Sequence, residues 1–218
     1  MHMKNKIEAV IFDFDGVIAY TEEIHLRTFR EILAPFRINI ESRRWYTEFV
    51  GIGGRNIMDI LLKEHGLEKN LEELVEKRSN NFIEYIEKNQ IEEVPGIEKF
   101  VEKLHSMKMK KAIASGSRRR VIETITKRMG LINYFDTIIG AEDTQKKKPH
   151  PEPFLLAAER IKIKPENCLV LEDSPNGFQA AKSAGIPCVC VKNPYWKELN
   201  GCLRTIDNYK NFPMEIFE

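Results

Sequence analysis

A chain of 218 residues, 42% hydrophobic and 31% charged, has the composition of a globular protein with room for one core domain and a smaller insert, not that of a disordered chain. Its formal net charge of +1 argues against a bulk nucleic-acid binder, which needs a strongly basic face. No apolar run approaches the ~20 residues of a membrane helix. The start, Met1-His2-Met3-Lys4-Asn5-Lys6, lacks the apolar stretch of a signal peptide, so a cytoplasmic protein with no membrane partner is expected.

Ile7 to Phe14 reads Ile-Glu-Ala-Val-Ile-Phe-Asp-Phe, a short apolar run that predicts a buried parallel strand ending in acids. The next stretch holds no strand pattern. Thr21–Ala34, Ile57–His65 and Leu71–Lys88 carry amphipathic helical spacing, with breaks at Gly51-Ile-Gly-Gly54 and Gly66. Residues 17–92 therefore read as a helical insert, and residues 1–16 with 93–218 as the core domain. Val94-Pro95-Gly96 marks the return.

Strands and helices then alternate. Strands are expected at Lys111–Ser115, Thr137–Gly140, Cys168–Leu171 and Pro187–Val191. Helices are expected at Ser117–Met129, at Pro151–Ile161, which opens on prolines, and at Pro175–Ala184, which ends at Gly185. This alternation predicts an α/β fold, a doubly wound three-layer parallel sheet whose ligands bind beyond the carboxyl ends of the strands. Cys168, Cys188, Cys190 and Cys202 form no CxxC pair, so they are expected to be reduced core thiols rather than a zinc site.

The chemistry collects at strand ends. Asp13 and Asp15, two apart, fall on one face of a strand, and Gly16 lets the backbone bend after them. Two close carboxylates repel, and a hard cation such as Mg²⁺ relieves that cost. One carboxylate can then attack phosphorus while the other moves a proton. A lone Asp-x-Asp is more often an N-cap acid plus a turn acid. The second acidic strand end, Leu169-Val-Leu-Glu172-Asp173-Ser174, weakens that plain reading. Asp173 is the more direct metal ligand of the pair, with Glu172 supporting or sharing the site. In Ala112-Ile-Ala-Ser115-Gly116-Ser117, backbone N–H groups and hydroxyls can hold phosphate oxygens, although serine is also an ordinary cap. Lys148, held by the prolines of Lys148-Pro-His-Pro, supplies a fixed positive charge.

Taken together, Asp13-Phe-Asp15-Gly16-Val, Ser115, Lys148-Pro-His-Pro-Glu-Pro-Phe154 and Leu171-Glu-Asp-Ser-Pro-Asn-Gly177 resemble the haloacid-dehalogenase-like superfamily, in its β-phosphoglucomutase and phosphoglycolate-phosphatase branch. The likeness covers nearly the whole chain, and the helical insert is similar to that branch's cap. The resemblance implies an aspartyl-phosphate formed on Asp13, with Asp15 as general acid and base and as a metal ligand through its backbone carbonyl. It implies that Ser115 binds the transferring phosphoryl group with Gly16, Gly116 and Ser117 beside it. It also implies that Lys148 neutralises charge and that Asp13, Asp15, Glu172 and Asp173 hold Mg²⁺. An acid at Asp15 favours phosphoryl transfer over dehalogenation.

Substrate choice is expected to lie in the cap, at His25 and at Arg55, which follows Gly51-Ile-Gly-Gly54. By residue type alone a histidine such as His25 is more often a packing or hydrogen-bonding residue, and Arg78 is a weaker substrate candidate because most helix arginines are solvated. The implied activity is a phosphatase of small phosphorylated metabolites such as sugar phosphates, in a monomer or weak dimer. A sugar-phosphate mutase uses the same intermediate. A phosphoacceptor signalling module, which also clusters acids, a hydroxyl and a lysine at strand ends, is the non-enzyme alternative.

Overall fold

A computed structural model describes residues 6–193 and 199–217; the leader reading at Met1–Asn5 lies outside the described residues. The chain forms two compact units, Met1–Tyr20 with Glu92–Glu218, and Thr21–Ile91.

The first unit is built on a six-stranded parallel sheet in the order β3-β2-β1-β4-β5-β6. Its strands are β1 (Ala9–Phe12), β2 (Lys110–Ala114), β3 (Thr137–Ile139), β4 (Cys168–Glu172), β5 (Cys188–Val191) and β6 (Arg204–Ile206). The helices of this unit are α5 (Ile97–Ser106), α6 (Arg119–Arg128), α7 (Glu152–Ile161) and α8 (Pro175–Ser183). Side chains alternate between the two faces of each strand, and both faces are buried. One face mixes the small residues Ala9, Ala112, Ala114 and Cys188 with Ile11, Ile139 and Val170, in one core cluster with Ala157 and Ala158 of α7 and Ala180 and Ala181 of α8.

The opposite face carries an aromatic cluster. Phe12 meets Phe100 and Phe135 edge-on, at ring-centroid distances of 6.1 and 5.6 Å. Phe100 in turn stacks on Tyr209 at 4.9 Å. Fully burying a side chain such as Phe12 contributes roughly 1.5–3 kcal/mol.

Register sets the level of the strand ends. Phe12 lies opposite both Ile113 and Leu171, so the residues after it emerge beside the ends of β2 and β4. The chain leaves β1 earlier than its apolar pattern suggested, and Asp13 and Asp15 stand beyond the strand. Order reverses at β1, whose neighbours are β2 and β4, which is where open α/β sheets leave a crevice.

The second unit holds α1 (Glu22–Leu33), a short helix α2 (Ser42–Arg44) that continues into a π-helical turn at Trp45–Phe49, α3 (Gly54–Glu64) and α4 (Leu71–Lys88). Asn70 caps α4, its Oδ1 accepting the Glu73 N–H at 3.2 Å. Gly54, expected to be part of a break, is instead the first residue of α3.

Three further features depart from the sequence expectations. Helix α5 and edge strand β6 were not anticipated. Cys190 and Cys202 form a disulfide, while Cys168 and Cys188 are free and buried, so the reading of all four as reduced thiols is corrected. The cause is tertiary: Cys190 in β5 and Cys202 just before its neighbour β6 come within a Cα–Cα distance of 5.9 Å. Among the described residues no helix is long and apolar enough to cross a membrane.

Candidate active site

The loop after β1 turns at once. Gly16 has φ of 75°, a left-handed conformation that suits glycine, and its N–H donates to Ala19 O at 2.9 Å. Space is a second reason for this glycine: a Cβ here would lie 2.1 Å from Asp173 Oδ2.

Asp13 is buried, with 7% of its surface exposed. Lys148 Nζ donates to Asp13 Oδ1 and to Glu172 Oε1, both at 2.7 Å, and so joins groups from three separate stretches of chain. Glu172 is fully buried. Its Oε2 accepts from the Asp173 N–H at 2.8 Å, the Ser174 N–H at 2.8 Å and the Ser174 hydroxyl at 3.0 Å. Ser174 also caps α8, where its Oγ accepts the Gly177 N–H at 3.1 Å. With Oε1 on the ammonium and Oε2 on three donors, Glu172 is a brace for Lys148 and for the Asp173 loop.

Asp15 points to the end of β2. Its Oδ2 accepts from Ser117 Oγ at 2.7 Å and from Ser115 Oγ at 3.3 Å. The Ser117 N–H donates to Ser115 Oγ at 3.0 Å. Gly116 has no heavy atom within 4 Å of the place a Cβ would take. The core residues expected from the sequence, Asp13, Asp15, Gly16, Ser115, Gly116, Ser117, Lys148, Glu172 and Asp173, thus all lie at the carboxyl edge of this sheet.

The electrostatics of the edge are one-sided. Burial, with Glu172 and Asp15 adding to it, pushes the Asp13 carboxyl up to about 8 despite the opposing pull of Lys148. Burial alone would lower the Lys148 ammonium, but Asp13 and Glu172 outweigh it and hold its pKa above the ordinary lysine value. Asp13, Asp15, Glu172 and Asp173 together outnumber Lys148. Asp13, Glu172 and Asp173 can each offer a ligand atom, all within 4.8 Å of one another. An all-oxygen donor set with surplus negative charge fits a hard divalent cation.

Two residues of this edge were not picked out from the sequence. Asn193, two positions past β5, donates from Nδ2 to Asp173 Oδ2 at 2.6 Å. A polar residue ending an apolar strand run was the available signal. Tyr209 is buried against Phe100, and its hydroxyl has no hydrogen-bond partner among the described residues. Burial raises its pKa well above the ordinary phenol value, and Asp173 and Asp13 add to the shift. No local pattern marks Tyr209.

The candidates of the helical unit form their own arrangement. His25 packs on Phe82 with ring centroids 4.5 Å apart, and its Nδ1 lies 3.2 Å from Arg78 Nη1. The Arg78 guanidinium sits 4.5 Å over the Phe29 ring, so it is not the solvated arginine its helix suggested. Gly54 makes room for it, since a Cβ there would meet Arg78 Nη2 at 2.8 Å. Arg55 is paired with Glu72 at 2.7 Å on an exposed face.

Comparison with known proteins agrees with this geometry. Residues 10–191 match the family model described as haloacid dehalogenase-like hydrolase. The chain is 32% identical over 184 residues to the phosphorylated carbohydrates phosphatase of Thermotoga maritima, covering 83% of this chain and 82% of that protein. The crystal structure of CbbY from Rhodobacter sphaeroides in complex with phosphate superposes with a TM-score of 0.87 at 26% identity, covering 93% of this chain and 95% of that one. β-Phosphoglucomutase from Clostridium difficile superposes with a TM-score of 0.86 at 27% identity, covering 96% and 94%. With the family model spanning most of its length and its sheet edge carrying the expected acids, hydroxyls and lysine, the chain belongs to the haloacid dehalogenase-like hydrolases.

Proposed function

We propose that the chain is a Mg²⁺-dependent phosphatase of small phosphorylated metabolites, sugar phosphates first among them, acting through an aspartyl-phosphate on Asp13. The observation that carries this reading is Lys148, which grips Asp13 Oδ1 and Glu172 Oε1 at 2.7 Å each. A buried carboxylate with one oxygen held by an ammonium is fixed in orientation, so its other oxygen can be aimed at phosphorus. The likeness to a phosphorylated carbohydrates phosphatase supports the substrate class.

Asp13 attacks the phosphorus, the bond from phosphorus to the ester oxygen breaks, and Asp15 gives its proton to the leaving oxygen. Asp15 then takes a proton from water, whose oxygen attacks the same phosphorus. The bond to Asp13 breaks, and inorganic phosphate leaves. Ser115 and Ser117, whose hydroxyls donate to Asp15, offer those hydroxyls to the transferring oxygens. Lys148 offsets the charge that builds on them. Mg²⁺, held by the carboxylates of Asp13 and Asp173 and the backbone carbonyl of Asp15, with Glu172 as brace, would neutralise the phosphate and the carboxylates. We assign substrate choice to the helical unit, to His25, Arg78 and Arg55.

Asp13→Asn keeps the shape and removes the nucleophile. Mg²⁺-dependent release of phosphate from para-nitrophenyl phosphate is expected to vanish, and full retained activity would overturn the assignment. A second reading, a sugar-phosphate mutase, is supported by the likeness to a β-phosphoglucomutase. Incubation with β-glucose 1-phosphate and a bisphosphate primer separates the two: glucose 6-phosphate as the main product favours the mutase, and free phosphate favours the phosphatase.

A further inference from the structure

We infer that Asn193 is a positioning residue for the cation site, acting through Asp173, and that it sets the affinity of that site. The inference rests on the reading of Asp173 as a cation ligand.

Asp173 Oδ2 is confined on two sides. The Gly16 backbone presses on it so closely that a Cβ there would come within 2.1 Å of Oδ2 and 2.9 Å of Cγ. Asn193 Nδ2 donates to the same oxygen at 2.6 Å and lies 3.7 Å from that absent Cβ. The loop after β1, the end of β4 and the end of β5 therefore meet on one oxygen atom.

Regular structure holds the donor in place. Glu172 pairs with Cys190 in the β4–β5 ladder, which puts the residues after both strands at the same edge. The Lys192 N–H donates to Ile206 O at 2.8 Å, continuing the β5–β6 ladder up to the residue before Asn193. The Cys190–Cys202 disulfide ties the same strand to the segment entering β6.

A neutral amide suits this task. Lysine or arginine would pair with Asp173 and compete with the cation for its charge. An acid would turn Asp173 away by repulsion. An amide N–H holds one oxygen and leaves the carboxylate ionised, so the ligand is oriented before the cation arrives.

The test measures cation binding directly, with no substrate present. Mg²⁺ is titrated by calorimetry into the wild-type protein and into Asn193→Ala, Asn193→Ser and Asp173→Asn, each shown to be folded by its melting curve in EDTA. Removing a partner of this kind typically weakens metal affinity by about 10–100-fold, which is the loss expected for Asn193→Ala. Asn193→Ser, which keeps a hydroxyl donor, is expected to recover part of it. In turnover, the Mg²⁺ concentration giving half activity should rise by more than kcat at saturating Mg²⁺ falls. Asn193→Leu, similar in size and without the donor, gives the same reading if Asn193→Ala does not fold.

Affinity within twofold of wild type in Asn193→Ala, with Asp173→Asn strongly weakened, overturns the role of Asn193 and leaves the cation site standing. Unweakened binding in Asp173→Asn overturns the reading of Asp173, and the inference with it.

Discussion

Gly177→Ala is the sharpest perturbation this site allows. Gly177 lies in the first turn of α8, and its φ is not in the left-handed region. By helix propensity alone alanine should stabilise that turn by up to about 1 kcal/mol. The packing reverses the sign. An added Cβ would lie 1.6 Å from Glu172 Oε1, 1.9 Å from its Cδ and 2.4 Å from Oε2. A methyl carbon and a carboxylate oxygen need a little over ~3 Å, so Glu172 must move by about 1.5 Å or α8 must slide.

Either movement strains the bonds of Glu172 to Lys148 at 2.7 Å, to the N–H groups of Asp173 and Ser174 at 2.8 Å each, and to the Ser174 hydroxyl at 3.0 Å. Losing the equivalent of one to two bonds to a charged group costs about 3–5 kcal/mol, and the propensity gain leaves roughly 3 kcal/mol. At about 2–4 °C per kcal/mol for a chain of this size, Tm should fall by roughly 6–12 °C. Lys148 loses its brace, so kcat/KM is expected to fall on the order of 10²-fold. Differential scanning calorimetry with an activity assay measures both, and Gly116→Ala, with open space around its Cβ, is the control for stability. Gly177→Ala as stable as wild type would refute the picture of Glu172 as a rigid brace.

Lys148→Met leaves Asp13 and Glu172 without their shared counter-charge, a loss of about 3–5 kcal/mol for a broken buried pair. Proton uptake relieves the carboxylates, so urea unfolding in EDTA should show a larger loss at pH 8 than at pH 5.5. The cation-free protein has its own pH signature: Asp13 holds a proton up to about pH 8 in the fold but only to 3.8 when unfolded. The native state binds the extra proton between those values, so stability falls as pH rises through that window and levels off above it. Asp13→Asn or saturating Mg²⁺ should flatten the profile of Tm against pH; a wild-type profile in EDTA no steeper than that of Asp13→Asn would contradict the burial argument. Reduction of the Cys190–Cys202 bridge, which spans a sequence separation of 12, should lower stability by about 3 kcal/mol in denaturant titrations. Cys168, whose thiol burial pushes up to about 12, should stay unreactive toward a thiol reagent until the protein unfolds.

Much of this protein is legible locally. Buried parallel strands advertise themselves as apolar runs, and those of β1 and β4 end in acids that have no place in a core unless they work there. Helix α4 was placed residue for residue at Leu71–Lys88, because its caps and its apolar spacing agree. Edge strand β6 was missed because it is three residues long with two of them exposed, so it carries no apolar run. Helix α5 is legible too, since Ile97, Phe100, Val101 and Leu104 keep helical spacing and are buried.

By itself the sequence determined the alternating α/β core, the helical insert and the residue types at the strand ends, because strand and helix periods and strand-end polarity are properties of neighbouring residues. Only the tertiary structure decided which of those groups touch. Lys148 reaches Asp13 across 135 positions, Asn193 reaches Asp173 through the register of β4 and β5, and Cys190 finds Cys202 through the pairing of β5 with β6. Such contacts follow from strand order and register, and spacing along the chain carries no record of either.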